Sequence, residues 1–206
     1  MNTGKLIIIS APSGSGKSTI IGEVIKDEAL KLSFSVSATT REMRRGEEEG
    51  VNYYFMTVDD FKQAIVNEEF AEFQEVYPGR YYGTLKREIK RITDAGDNVI
   101  LDLDVVGGVN VKQMYGDRAL SIFIKAPSID TLRHRLLSRG TDSIEEIERR
   151  IAKAEYETGF ADKFDHIVVN DVLRTAVAEV HDLIADFVAD DDSDAAEATS
   201  DPAPEK

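Results

Sequence analysis

The chain has 206 residues, enough for one or two domains, and its 42% hydrophobic and 31% charged residues are typical of globular proteins. It has no cysteine, which excludes disulfides and thiol chemistry. Its apolar runs are too short for a membrane span or a signal peptide, so we expect a cytoplasmic protein without membrane contacts. The net charge of -14 argues against a general nucleic-acid binder, which would present a basic face.

Acidic residues are concentrated at the C-terminus. Residues 190–206 hold seven of the 39 acidic residues and one of the 25 basic ones, with no apolar periodicity, so we expect residues 189–206 to form a disordered acidic tail. The remaining chain still has 32 acidic against 24 basic residues, so an anionic ligand would need local groups of arginines. Two such groups occur: Arg41, Arg44 and Arg45, and Arg133, Arg135 and Arg139.

The first predicted strand, residues 6–10, leads into a Gly- and Ser-rich loop and then a helix, which is the context of a phosphate-binding P-loop. Glycines let backbone N–H groups turn toward a phosphate, and the helix N-terminus adds its positive dipole end. Lys17 would reach the outer phosphates of a nucleoside triphosphate, and the Ser18 hydroxyl would bind Mg²⁺. The pattern asks for Gly where Ala11 stands, which is compatible if φ is negative there. The predicted ATP-binding residues of the loop are Ala11, Pro12, Ser13, Gly14, Ser15, Gly16, Lys17, Ser18 and Thr19.

Strands and helices alternate along most of the chain, which predicts an α/β fold with a parallel sheet covered by helices on both faces. Strands are predicted at 6–10, 33–37, 98–102, 120–125 and 166–170. Helices are predicted at 18–31, 84–95, 105–115, 129–138, 143–160 and 172–188.

Two stretches interrupt this alternation. Residues 38–83 combine a charged loop, short strands and one helix, so we predict a small antiparallel insertion with a hairpin at Pro78 and Gly79. Residues 131–155 are arginine-rich and broken near Gly140, which indicates a lid. The core domain then consists of residues 1–37, 84–130 and 156–188.

Several motifs occur together in this chain. The run from Phe34 to Glu47, the segments at 79–84 and 100–104, and the P-loop closely resemble the guanylate kinase family over residues 4–188. The resemblance implies a three-layer parallel sheet of the P-loop kinase type with a GMP-binding insertion and a helical lid. It also implies transfer of the γ-phosphoryl group of ATP to GMP or dGMP with Mg²⁺. Two departures are the missing prolines in the 41–47 loop and Val106, where the family usually has Gln.

The resemblance also implies how the acceptor nucleotide is bound. Planar guanidinium groups of two arginines, helped by two tyrosine hydroxyls, would clamp the phosphate of GMP. Glu72 would accept the N1–H and 2-amino protons of guanine, and Ser37 would face its O6. Adenine would leave that carboxylate unpaired, which would cost several kcal/mol of binding free energy. The predicted GMP-binding residues are Ser37, Arg41, Arg44, Tyr53, Glu72, Tyr82, Thr84 and Asp104.

The remaining site residues belong to phosphoryl transfer. Asp102 ends an apolar strand and would hold Mg²⁺ together with Ser18. The resemblance implies that Arg135 and Asn170 flank the adenine of ATP. The GMP phosphate is already a nucleophile, so we expect no catalytic histidine and a structural or surface role for the three histidines present. The predicted catalytic residues are Lys17, Arg41, Arg139 and Arg150.

Two other functions stay open at this point. One is a different nucleoside monophosphate kinase, acting on AMP or a pyrimidine nucleotide. The other is a non-catalytic guanylate-kinase-like interaction module, because a fold alone does not define a function. An intact P-loop with Lys17 and Ser18, together with Arg41, Arg44 and Glu72, favours the enzyme.

Overall fold

The computed structural model of the chain describes residues 3–140 and 143–197. The described residues form two sheets and seven α-helices. The strands are β1 (Leu6–Ser10), β2 (Leu32–Phe34), β3 (Ala38–Thr39), β4 (Tyr54–Phe55), β5 (Phe70–Tyr77), β6 (Arg80–Leu85), β7 (Asn98–Asp102), β8 (Ala119–Lys125) and β9 (His166–Val169). The helices are α1 (Lys17–Val24), α2 (Val58–Val66), α3 (Lys86–Asp94), α4 (Val105–Tyr115), α5 (Ile129–Arg139), α6 (Ile144–Thr158) and α7 (Leu173–Glu197).

The core sheet is parallel throughout, with strand order β2-β7-β1-β8-β9. The central strand β1 is fully buried from Leu6 to Ile9, as expected for a parallel strand covered on both faces. All five carboxyl ends lie at one edge of the sheet, where ligands bind in open α/β sheets. The P-loop follows β1 at that edge, and Asp102 ends the neighbouring strand β7.

Helices cover both faces of this sheet, which confirms the predicted three-layer α/β fold. Side chains alternate along β1, so Ile7 and Ile9 pack with α1 and α7 on one face. Leu6 and Ile8 pack with α3 and α4 on the other face. Within the described residues, no helix is both long and apolar enough to cross a membrane.

The insertion forms a second sheet of four strands, with order β4-β3-β6-β5. The predicted hairpin is present, because β5 and β6 pair antiparallel around Pro78 and Gly79. The expectation of a wholly antiparallel insertion is wrong, because β3 and β4 pair parallel. Parallel neighbours need a long connection, and the charged loop between Thr39 and Tyr54 provides it.

Two helices end far from their predicted C-termini for local reasons. Helix α1 ends at Val24 instead of residue 31, because Asp27 caps a separate 3-10 turn by accepting a hydrogen bond from the Ala29 N–H. Helix α7 continues to Glu197, so residues 189–197 of the predicted disordered tail are helical. Extending an existing helix is easier than nucleating one, which favours continuation past the packed part. Residues 198–206 lie outside the described residues.

The lid region is formed by α5 and α6. They pack through Leu132, Leu136, Ile147 and Ile151. Ser143 caps α6 by accepting a hydrogen bond from the Glu146 N–H. Such a cap supplies a partner for one of the otherwise unpaired N–H groups at the start of the helix. Closure of this region over bound nucleotide stays a prediction.

The insertion has its own aromatic core, which makes its stability testable. Phe61 is fully buried and stacks on Phe70 and Tyr81, with ring centroids 4.3 and 5.3 Å away. Phe61→Ala should lower the free energy of unfolding by about 3–5 kcal/mol, because it removes a stacked ring and leaves a cavity. Urea denaturation measures this. The control Val66→Ala, on the same helix but 75% exposed, should change little, and equal losses in both variants would contradict the packing described.

Candidate active site

The P-loop has the backbone conformation that phosphate binding needs. Gly14 and Gly16 have φ values of 92° and 94°, in the left-handed region that glycine adopts readily. Gly16 is also the N-cap of α1, so this helix points its N-terminus into the loop. Among the described non-glycine residues, positive φ occurs at Lys31 and Glu68 alone, so the expected negative φ at Ala11 is confirmed.

Asn170 contacts the backbone of the P-loop. Its side chain is buried and donates a hydrogen bond of 2.7 Å to the Ser15 carbonyl. A Cβ atom added at Gly16 would lie 2.3 Å from the Asn170 side-chain nitrogen, so only glycine fits there. The proposed contact of Asn170 with adenine stays a prediction, and its observed role is to hold the loop.

A cleft of about 390 Å³ lies above the P-loop at the carboxyl edge of the core sheet. Its lining includes most of the predicted loop residues together with Asp102 and Asp104. Lys17 forms an ion pair with Asp102 inside this cleft. Burial lowers the pKa of Lys17 to about 8, although the nearby carboxylates of Glu157 and Asp104 act in the opposite direction. The structure therefore brings together the predicted phosphate-binding lysine and the predicted metal ligand.

Lys153 and Glu157 of α6 also line this cleft, and sequence reasoning missed both. They form an ion pair with 3.5 Å between Lys153 Nζ and Glu157 Oε1. Glu157 is buried, which raises the pKa of its carboxyl group, while Lys153 opposes that shift. Spacings of three and four residues place both on the helix face that carries Arg150, and this pattern could have identified them.

A second cleft of about 400 Å³ lies between the core and the insertion. Ser37 and Tyr53, two of the predicted GMP-binding residues, contribute to its lining. Asp102 lines this cleft as well as the first one. The two clefts therefore meet at one carboxylate.

Arg41 is held in a fixed orientation next to this second cleft. Its guanidinium group donates two hydrogen bonds to Glu47, of 2.9 and 2.7 Å, and lies 5.3 Å from the ring centroid of Tyr53. Bonding to Glu47, and to a lesser extent to Tyr82, raises the pKa of Arg41. The same pair lowers the pKa of Glu47 to about 2, with help from the Arg44 backbone N–H. Arg41, Tyr53 and Tyr82 thus come together as predicted, with the exposed Arg44 beside them.

The predicted base-recognition residues also come together. Thr84 donates a hydrogen bond of 2.7 Å to Glu72 across strands β6 and β5, so Thr84 belongs to a strand and not to the predicted helix 84–95. Asp104 caps α4 by accepting a hydrogen bond from the Gly107 N–H. A Cβ at Gly107 would lie 3.1 Å from Glu72 Oε2. Burial, aided by the charge of Asp104, raises the pKa of Glu72.

Two arginines of the lid region, one on α5 and one on α6, reach the P-loop or the residue that supports it. Arg135 donates a hydrogen bond of 2.9 Å to the Asn170 carbonyl, and Arg150 reaches Ser13 Oγ at 3.4 Å. The side chain of Arg139 lies outside the described residues. The histidines behave as expected: His134 and His166 are exposed, and His181 pairs with Asp27 away from both clefts.

Comparison with known proteins decides between families of P-loop proteins. The family model for guanylate kinase matches residues 3–187. The guanylate kinase of Bacteroides thetaiotaomicron is 56% identical over 186 residues, which cover 90% of this chain and 91% of the relative. The chain belongs to the guanylate kinase family. Another relative, the guanylate kinase of Bacteroides fragilis, is 54% identical over 187 residues, or 91% of each chain.

A solved structure supports the same fold for this guanylate kinase family member. The crystal structure of guanylate kinase from Anaplasma phagocytophilum matches it with a TM-score of 0.69 at 26% sequence identity. The match covers 91% of this chain and 88% of that one. The shared fold therefore extends over most of both chains.

The contact between Gly16 and Asn170 predicts the effect of a side chain at the P-loop of this guanylate kinase family member. Gly16→Ala should lower the free energy of unfolding by more than about 1 kcal/mol, because φ is positive and the added Cβ would clash. Gly22→Ala in the same helix is the control. Nothing lies within 4 Å of its added Cβ, and alanine should stabilise the helix by about 0.5–1 kcal/mol. Thermal unfolding followed by circular dichroism measures both, and a tolerated Gly16→Ala would contradict the geometry.

Proposed function

We propose that the chain transfers the γ-phosphoryl group of ATP to GMP or dGMP and releases ADP and GDP. The observation that carries this proposal is that the P-loop cleft and the insertion cleft share Asp102. A triphosphate on the P-loop and a monophosphate in the insertion can then meet end to end at one point. Membership of the guanylate kinase family supports the same pair of substrates.

On the acceptor side, Arg41 provides the main charge for the phosphate of GMP. The bonds to Glu47 fix the plane of its guanidinium group, so its orientation is set before the phosphate arrives. Tyr53 and Tyr82 lie beside it and can add phenolic donors. Arg44 is exposed at the same loop and can add a second guanidinium group.

Base selection depends on Glu72. Its carboxylate already accepts one hydrogen bond from Thr84 and keeps lone pairs for the N1–H and 2-amino donors of guanine. Burial raises the pKa of Glu72, because an ionised carboxylate without enough hydrogen-bond donors is costly in a buried place. Adenine has a bare N1 acceptor at the same position and would leave the buried charge unpaired. Glu72 therefore favours a guanine base.

On the donor side, the P-loop amides and Lys17 bind the outer phosphates of ATP. Ser18 and Asp102 line the same cleft and offer hydroxyl and carboxylate oxygens, the donors that Mg²⁺ prefers. Within the described part of the chain, no group of three or more His, Cys, Asp or Glu side chains could hold an ion alone. Such a partial oxygen set fits Mg²⁺, which keeps phosphate oxygens and water as its other ligands. When bound, Mg²⁺ neutralises charge on the phosphates.

The phosphoryl transfer itself requires no strong base, because the phosphate oxygen of GMP is already an anion at neutral pH. The residues therefore act by orienting two anions, neutralising their charge and excluding water. Arg150 reaches the P-loop from the lid, where it can neutralise charge that develops during transfer. We assign Arg139 to the same task on the resemblance alone.

An acceptor panel tests this function. With ATP and Mg²⁺, the chain should phosphorylate GMP far more efficiently than AMP, CMP or UMP in a coupled ADP-release assay. Glu72→Gln should lower kcat/KM for GMP by about 10- to 100-fold, because an amide cannot accept both guanine donors. The control is Glu75→Gln, on the same strand but exposed, which should behave like the unaltered chain. Preference for AMP would refute the proposal, and failure to bind ATP in calorimetry would favour the interaction module.

Lys17 provides a separate test of the donor side. Lys17→Met should lower kcat by about 100- to 1000-fold, because it removes a preorganised charge beside the transferring group. The fold should stay intact, because Asp102, which loses its ion-pair partner, is 30% exposed in the open cleft and can be hydrated. Lys26→Met, an exposed lysine shortly after α1, is the matched control. Steady-state rates and circular dichroism measure both effects, and near-normal turnover without Lys17 would contradict its role.

A further inference from the structure

One buried carboxylate lies outside the described site. Glu88 is only 1% exposed and sits in the first turn of α3, yet it lines neither of the two clefts. Burying a charge is costly unless partners compensate it. The partners of Glu88 therefore indicate what this charge does.

Glu88 joins three separate segments of the chain. It accepts a hydrogen bond of 3.0 Å from the Tyr54 hydroxyl in β4 and one of 3.5 Å from the Val36 backbone N–H. Arg91 completes the set with two bonds of 2.9 Å from the same helix. This arginine holds the pKa of Glu88 below its usual range, so the group stays ionised.

These partners lie at the junction between the core and the insertion. The chain enters the insertion through residues 35–37, between β2 and β3, and leaves it where β6 meets α3 at Leu85 and Lys86. Val36 belongs to the connection from β2 to β3. Glu88 lies in the first turn of α3, directly after the connection back to the core. Both connections therefore converge on one carboxylate.

The same partners are next in sequence to residues of the acceptor site. Val36 precedes Ser37, and Tyr54 follows Tyr53. The Tyr54 ring is also held by Arg87, whose guanidinium carbon lies 5.4 Å from the ring centroid. A change in the position of Tyr54 would thus move Tyr53, which lines the insertion cleft.

We propose that Glu88 is a positioning residue for the acceptor nucleotide, which it never touches. Its hydrogen bonds connect β4 and residues 35–37 to α3. They thereby fix the positions of Ser37 and Tyr53 relative to the core. The inference rests on the proposed function, because it concerns the affinity for GMP. Glu88 is assigned no contact with ATP, since it does not line the P-loop cleft.

The test is a kinetic comparison of the two substrates. Glu88→Gln keeps the shape of the side chain but loses the charge that holds Arg91 and Tyr54. It should raise KM for GMP by about three- to tenfold, the effect of weakening charge-assisted hydrogen bonds. KM for ATP should stay within about twofold of the value for the unaltered chain, because Glu88 and its partners do not line the P-loop cleft. A merely structural loss would lower the melting temperature without this split between substrates.

Two further variants make the test specific. Tyr54→Phe removes only the hydroxyl and keeps the ring under Arg87, so it should raise KM for GMP less than Glu88→Gln. Both changes act on the hydrogen bond between Tyr54 and residue 88. The double variant should therefore raise KM for GMP by less than the product of the two single effects. Asp94→Asn is the matched control, because it breaks the exposed Lys90–Asp94 ion pair on the same helix. It should leave both KM values unchanged.

The outcomes separate this inference from the proposed function. If the unaltered chain does not phosphorylate GMP, the proposed function fails. If it does, but Glu88→Gln and Tyr54→Phe keep a normal KM for GMP, only the positioning role is overturned. Equal increases in KM for GMP and ATP would also overturn it. If Glu88→Gln fails to fold, the milder Tyr54→Phe variant still decides the question.

Discussion

The arrangement of the site depends on the register between two parallel strands. In the core sheet, Ile9 of β1 lies opposite Asp102 of β7, so the end of one strand comes level with the start of the P-loop on the other. The side chains on the two faces of β1 pack against different helices, so a slip of one residue would exchange them between the two clusters. The pairing of Lys17 with Asp102, and the meeting of two clefts there, follow from this register.

A chain with a net charge of -14 can bind two nucleotides because its cations are placed locally and held by acids. Arg41 is oriented by Glu47, and Lys17 lies against Asp102. These carboxylates let a cation be partly buried without an uncompensated charge. They also fix its direction, which lowers the cost of ordering it when a phosphate binds.

Sequence reasoning succeeded where the signal is local. The strands at 6–10 and 98–102 and the helix at 105–115 have the predicted bounds, because continuous apolar runs and a capping Asp104 define them. The P-loop was recognised because its motif is contiguous. Glu72, Thr84 and Asp104 lie far apart in the sequence and were assigned from the family resemblance, so their role stays a prediction. Sequence reasoning failed where distant segments of the chain meet. No local pattern predicts that β3 pairs parallel with β4, or that Glu88 contacts Tyr54.

The two nucleotide sites are built on separate cores, and this separation explains how one can change without the other. The insertion packs around Phe61, whereas the P-loop rests on the apolar face that includes Ile7 and Ile9. Interactions in clusters without shared contacts add independently. The two regions also touch directly, since Ala71 of β5 packs with Leu6 and Ile8 of the core sheet. Asp102 joins the two sites through the reacting groups, because it lines both clefts. Glu88 positions the acceptor site alone, through Tyr54 and Val36.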